Sequence, residues 1–125
     1  LITDKNISLK TSKEYTDIAW FNINKLPSLA YDHKKIIETA VERLKAKLSY
    51  TNIVYGLLPK EFTLTELQNV YEIILGQRLD KRNFRKKILS LNLLQQTNKQ
   101  KAGEAHRPAS LYRFNKLEPE VVEIV

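Results

Sequence analysis

The apolar positions change period along the chain. In residues 1–21 they come as short clusters: Leu1-Ile2, Ile7 with Leu9, and Ile18-Ala19-Trp20-Phe21. Polar turns such as Thr3-Asp4-Lys5-Asn6 separate them. Clusters this short, bounded by turn formers, predict strands. Two or three strands are marginal in water without a sheet to join, so the stretch reads as the edge of another domain. A turn is expected over residues 22–27, with a new unit after it.

From Asp32 the period becomes helical. Asp32 is a good N-cap, and Tyr31 before it is placed to pack on Ile36 as a hydrophobic staple. Ile37, Ala40, Val41, Leu44 and Leu48 share one face, and Lys34 and Glu38 form an i,i+4 pair on another. This helix should end near Ser49, followed by a single helical turn from Thr51 that Pro59 closes. Thr63, with Glu66 three residues on, makes a capping box. Leu64, Leu67, Val70, Tyr71 and Ile74 then recur at helical spacing until Gly76 stops the helix. Gln77, Arg78 and Leu79 separate it from the next cap, Asp80, with Leu79 and Phe84 as a second staple.

The third helix is expected from Lys81 to about Leu91. Ile88 and Leu91 fall within about 40° of Phe84 around the axis, which defines a buried stripe. Arg82, Arg85, Lys86 and Leu89 point the other way, with Asn83 and Ser90 on the flank. A strand over residues 93–97, a polar loop over 98–108 and a returning strand over 109–114 complete a hairpin with a long charged loop.

Charge sharpens this picture. The chain of 125 residues carries a formal +7. Ten Lys and Arg lie between Arg78 and Arg113 against only Asp80 and Glu104, so this stretch holds +8 and the remainder −1. Such concentration exceeds what solubility requires and points to a polyanion. Capped helix, short turn, basic helix and hairpin, in that order, spell a winged helix-turn-helix. Lys81, Arg82, Asn83, Arg85 and Lys86 would then face double-stranded DNA from the third helix, and Lys99, Lys101 and Arg107 from the wing. Arginine suits guanine O6 and N7, asparagine suits adenine N6 and N7, and lysine mostly takes phosphate. Arg78 could instead complement the second helix's dipole, and Lys87 could snorkel beside the stripe. Arg113 is left without an assigned face.

Other chemistry finds little support. The two histidines, His33 and His106, are far apart in a helix start and a loop, so neither a metal site nor histidine catalysis is expected. Gly56, Gly76 and Gly103 are too dispersed for a phosphate-cradling loop. Glu38 and Glu42 share a face with Lys34 and Arg43 nearby to neutralise them. No cofactor is expected. With no cysteine, 42% apolar and 28% charged residues, and no apolar run of the ~20 residues a membrane span needs, the chain reads as a globular, cytoplasmic protein without membrane contact. The absence of any methionine, a first one included, suggests a piece cut from a longer chain.

Several blocks resemble a known family. Ala19-Trp20-Phe21 followed by Leu26-Pro27-Ser28-Leu29-Ala30-Tyr31-Asp32-His33 is similar to the junction that leaves a Nudix-like domain. Three further blocks resemble the C-terminal winged helix of NrtR-type, Nudix-related transcriptional regulators. They are Leu57-Leu58-Pro59-Lys60-Glu61-Phe62-Thr63-Leu64, Leu79-Asp80-Lys81-Arg82-Asn83-Phe84-Arg85-Lys86-Lys87 and Arg107-Pro108-Ala109-Ser110-Leu111-Tyr112-Arg113-Phe114. The resemblance implies residues 1–29 as the end of a truncated Nudix-like α/β domain and residues 30–125 as a mainly α winged helix-turn-helix with a small β-hairpin wing. It also implies a homodimeric repressor in the intact protein, with an upstream domain that senses ADP-ribose or a sugar. The Nudix box, a Gly, a Glu and an Arg-Glu…Glu-Glu cluster, does not occur in these residues and would sit upstream. Two rivals remain: the tail of an ADP-ribose pyrophosphatase-like Nudix hydrolase, and a winged helix used for protein contacts or RNA.

Overall fold

The computed structural model describes residues 8–10, 12, 17–101 and 107–124. The elements run α1 (His33–Tyr50), a 3₁₀ turn (Ile53–Leu57), α2 (Leu64–Leu75), α3 (Lys81–Ser90), β1 (Leu94–Lys101) and β2 (Ala109–Phe114). The two strands form one antiparallel hairpin. Three helices followed by a hairpin make the expected winged helix.

One core ties these parts together. Leu48 of α1, Val54 of the 3₁₀ turn, Phe62, Leu64, Leu67 and Tyr71 around α2, Phe84 and Ile88 of α3, and Leu93 and Phe114 at the hairpin base are all buried. The rings of Tyr71 and Phe84 lie 5.4 Å apart and those of Phe62 and Phe114 5.2 Å apart, so aromatic contacts join α2 to α3 and to the wing. Burial pushes the Tyr71 phenol well above its ordinary pKa.

The capping arithmetic holds for α2. The Thr63 hydroxyl accepts from the Glu66 N–H at 3.1 Å, and the Glu66 carboxylate accepts from the Thr63 N–H at 2.8 Å. Gly76 closes the helix in the left-handed region at φ 71°, donating its N–H to Glu72.

The start of α1 departs from expectation. Tyr31 sits at φ 53° and is 95% exposed, and Ile36 is exposed too, so the staple does not form. A left-handed residue there swings the ring away from the following turn, where it meets His33 instead. Asp32 occupies the N-cap position without a side-chain cap bond. Of the predicted apolar face, Leu48 is fully buried, Ile37, Val41 and Leu44 are half-buried, and Ala40 is exposed. Lys34 and Glu38 pair at 3.9 Å as predicted.

The strands expected before residue 22 are not found among the described residues there, and Ile18, Trp20 and Phe21 are exposed. A short edge segment is marginal without a sheet to join, which accounts for the absence of a strand among the described residues there. Leu1, Ile2 and Ile7 lie outside the described residues. The turn after it does form, closed by the Lys25 N–H donating to the Asn22 carbonyl at 2.9 Å.

Two pairings had no counterpart in the sequence reading. Phe62 forms a two-way bridge with Tyr112 (3.0 and 2.8 Å), so the residue before α2 docks on β2 as a third edge. The segment after the hairpin returns to the end of α1: Thr51 bridges Val121, and Ile124 is buried. Buried Asn52 holds that segment, donating to the Glu118 carbonyl at 3.1 Å and accepting from the Glu120 N–H at 2.7 Å.

Candidate nucleic-acid interface

The turn between α2 and α3 decides how α3 is presented. Gln68, buried on α2, donates to the Leu79 carbonyl at 2.9 Å and to Glu72 at 3.1 Å. Glu72 in turn accepts from the Leu79 N–H at 2.8 Å. Both backbone groups of Leu79 are thus claimed by α2 side chains. The Leu79 N–H, then Gln68, hold the Glu72 carboxyl below its ordinary value. Composition and spacing gave no sign of this clamp, because it depends on which side chains of α2 meet a backbone eleven residues away. Asp80 then caps α3, its carboxylate accepting from the Asn83 N–H at 2.8 Å.

With Phe84 and Ile88 turned inward, Lys81, Arg82, Asn83, Lys86 and Lys87 are all exposed. Among the described residues none of these side chains has a hydrogen-bond or ion-pair partner. Arg85 behaves differently. It is half-buried, and its guanidinium donates through Nη2 to the Thr65 hydroxyl at 3.0 Å across the α2–α3 angle. Lys87 stands in the last turn of α3, where a cation complements the helix dipole.

The wing is arranged differently from the prediction. β1 continues to Lys101, so Lys99 and Lys101 stand on a strand and not in a loop. The register slips between Gln96 and Gln100, an irregularity that hydrophobic alternation could not reveal in a polar strand. Lys99 pairs with Glu61 at 3.3 Å, and Lys101 pairs with Glu66. Partial burial raises the Glu66 carboxyl, but Lys101 and the Thr63 N–H and hydroxyl outweigh it and hold the group below its ordinary value. Arg107 is exposed just before β2, at the loop end of the wing, while Gly103, Glu104 and His106 lie outside the described residues. Arg113 is exposed on β2 and donates to the Gln95 amide oxygen at 2.8 and 3.1 Å.

The structure therefore gathers Lys81, Arg82, Asn83 and Lys86 as unpartnered groups on one helix and diverts Arg85, Lys99 and Lys101 to internal partners. No group of three or more His, Cys, Asp or Glu side chains able to hold a metal occurs among the described residues.

Known proteins share this fold. Residues 54–114 match the model of the NrtR DNA-binding winged helix domain. These residues belong to that family. The match runs from the 3₁₀ turn to the last residue of β2, so it takes in α2, the clamped turn, α3 and the wing. The ADPR responsive transcriptional repressor NtrR of Acinetobacter baylyi is 47% identical over 87 residues, which are 69% of this chain and 34% of that protein. The crystal structure of Shewanella oneidensis NrtR complexed with a 27mer DNA superposes with a TM-score of 0.64 at 38% identity, covering 74% of this chain and 42% of that one. A second Shewanella oneidensis NrtR crystal structure gives 0.64 at 36%, covering 81% and 46%. The chain thus spans about a third of the curated relative's length and less than half of either crystallised chain. No helix among the described residues is long and apolar enough to cross a membrane.

Proposed function

We propose that this NrtR-type winged helix reads duplex DNA in sequence-specific fashion, as the DNA-binding part of a ligand-responsive transcriptional repressor. The observation that carries the reading is the exposed row Lys81, Arg82, Asn83 and Lys86, free of internal partners on a helix held by a cap, a core and a clamped turn. Arg82 and Asn83 carry donor and acceptor patterns that match base edges in a major groove. Lys81 and Lys86 take phosphate, and Arg85 and Arg107 act where α3 and the wing converge. Lys99 and Lys101 contribute only after leaving Glu61 and Glu66.

The effector is ADP-ribose or a related sugar, taken up by an upstream domain of which residues 1–29 are the end, and the intact repressor is a cytoplasmic homodimer. Support comes from the relative named as an ADPR responsive repressor and from the NrtR structure that contains DNA. The hydrolase alternative is not favoured, because the relative at 47% identity is named as a transcriptional repressor.

Binding to a mixed-sequence duplex across a salt series tests the reading. Six to eight phosphate contacts give a slope of about −5 to −7 in log K against log salt. Binding that is flat in salt, or absent at low salt, overturns it.

A further inference from the structure

Where α2, α3 and the wing meet, there is an open cavity of about 310 Å³. Its wall includes Thr65, Arg85, Arg107 and Ser110, with the first turn of α2 behind them, and among the described residues no acidic side chain lines it. Every polar side chain that lines it has a proton to give. The Thr65 hydroxyl already accepts from Arg85, and the Ser110 hydroxyl accepts from the Gln96 amide at 3.1 Å, so each keeps its own O–H free to donate. The N–H groups of Leu64 and Thr65 lie in the first turn of α2, where no intrahelical acceptor exists. The Arg85 Nε is buried and has no partner among the described residues. That Nε is closed off from the cavity, so it is the wall of accessible donors, with no acid among the described residues beside it, that suits an acceptor from outside the protein.

We infer that this cavity is a seat for one tetrahedral oxyanion, a phosphodiester of the DNA backbone, held jointly by Arg85 and Arg107 and by the first turn of α2. The inference rests on the DNA-binding reading and gives Arg85 a phosphate-positioning role in place of base reading. Two cations, two hydroxyls and a helix N-terminus match the charge and the several acceptor atoms of a phosphate. The nearest acid on α2, Glu66, does not oppose it, because Lys101 neutralises that carboxylate. A phosphate fixed here would set the register of α3 on the duplex, since Arg85 lies within one turn of Arg82 and Asn83.

The salt series decides between one shared phosphate and two separate ones. The unmodified chain, Arg85→Ala, Arg107→Ala and the double variant are compared on one mixed-sequence duplex. With a shared phosphate the double variant loses about 0.9 from the slope, the value for a single contact on B-DNA. A loss of about 1.8, additive from the single variants, shows separate contacts and overturns the seat. An unchanged slope with DNA still bound overturns the seat but leaves the function standing, whereas no DNA binding by the unmodified chain sinks both. Arg85→Gln, which keeps a polar stem but removes the charge, replaces Arg85→Ala if that variant does not fold. The Arg85 Nε–H resonance separates the ligand sources: DNA is expected to shift it at matched ionic strength and inorganic phosphate is not. A shift from inorganic phosphate alone assigns the cavity to a free phosphate and overturns the DNA-backbone assignment.

Discussion

The third helix and the wing carry similar numbers of cations but hold them in opposite ways. On α3 the exposed Lys81, Arg82, Lys86 and Lys87 have no partner among the described residues, while on β1 both Lys99 and Lys101 are tied to acids near the start of α2. The backbone beneath them differs as well. Helix α3 is anchored by Phe84 and Ile88, by the Asp80 cap and by the clamp on Leu79. The wing is anchored at its base, through Phe114, the Phe62–Tyr112 bridge and the Asn115 N–H donating to the Leu93 carbonyl at 2.9 Å, and farther out by the two lysine ion pairs. A group on a rigid, unneutralised surface loses little freedom and no partner when it binds. A group in an ion pair must first give one up. Formal charge alone therefore overstates the wing and understates the helix.

The largest effect on this contrast comes from removing the support of α3. Phe84 is nearly fully buried against Tyr71, and Phe84→Ala should cost about 3–5 kcal/mol of stability. Chemical denaturation measures it directly. A loss below about 1 kcal/mol would mean that α3 is held by its cap and clamp rather than by the core.

Next in size is reading itself. Arg82→Ala and Asn83→Ala should each cost about 1–3 kcal/mol at particular base pairs and relax preference there. Lys87→Ala should weaken binding to all sequences alike, and only slightly. Selection of preferred sites from a random duplex pool separates these outcomes. If all three variants keep the same preference, α3 is an electrostatic contact and not a reader.

A smaller effect tests the cap. Asp80 accepts from the Asn83 N–H at an exposed helix start, so Asp80→Ala should cost about 1 kcal/mol of stability. It also removes a negative charge beside Lys81 and Arg82, which raises non-specific DNA binding at low salt. Loss of stability with a gain in low-salt affinity is the expected pair of results. Loss of both would assign Asp80 a direct part in positioning α3 on DNA.

How much of this was readable from the residues follows from the range of the forces involved. The capping box of Thr63 and Glu66, the Gly76 stop, the Asp80 cap and the buried stripe of α3 all depend on spacings of three or four residues, and all are present in the structure. Spacing failed where a partner lies far along the chain. Lys99 and Glu61 are 38 positions apart, Gln68 and Leu79 are 11 apart, and Asn52 and Glu120 are 68 apart. The expected strand is shorter than β1 because Asn98, Lys99, Gln100 and Lys101 have polar side chains, and the strand is carried past the irregularity by Gln100 and Lys101 pairing with Ser110 and Ala109. The absent staple at Tyr31 failed for a local reason, a positive φ that tyrosine rarely adopts.

The smallest effect bears most directly on the contrast, because it asks whether the wing can be made to behave like the helix. Glu61→Gln and Glu66→Gln remove the charges that hold Lys99 and Lys101. Glutamine still suits the third position of a capping box, so α2 should keep its start. Exposed ion pairs contribute about 0.2–1 kcal/mol, which sets the ceiling on what each release returns to DNA binding. Each variant should therefore bind a mixed duplex up to about fivefold more tightly at low salt, with the gain fading as salt screens the lysines. Protonation offers the same test without a mutation. The Glu66 carboxyl is lowered in the folded chain, so its contribution to stability is complete above its unfolded value of about 4.3 and is lost as pH falls through the lower folded value. Unfolding curves collected downward from pH 5 should show that loss in the unmodified chain and a smaller one in Glu66→Gln. Equal acid sensitivity in both would show that Glu66 is not held by Lys101 in solution, and Lys101 would then be as free as the lysines of α3.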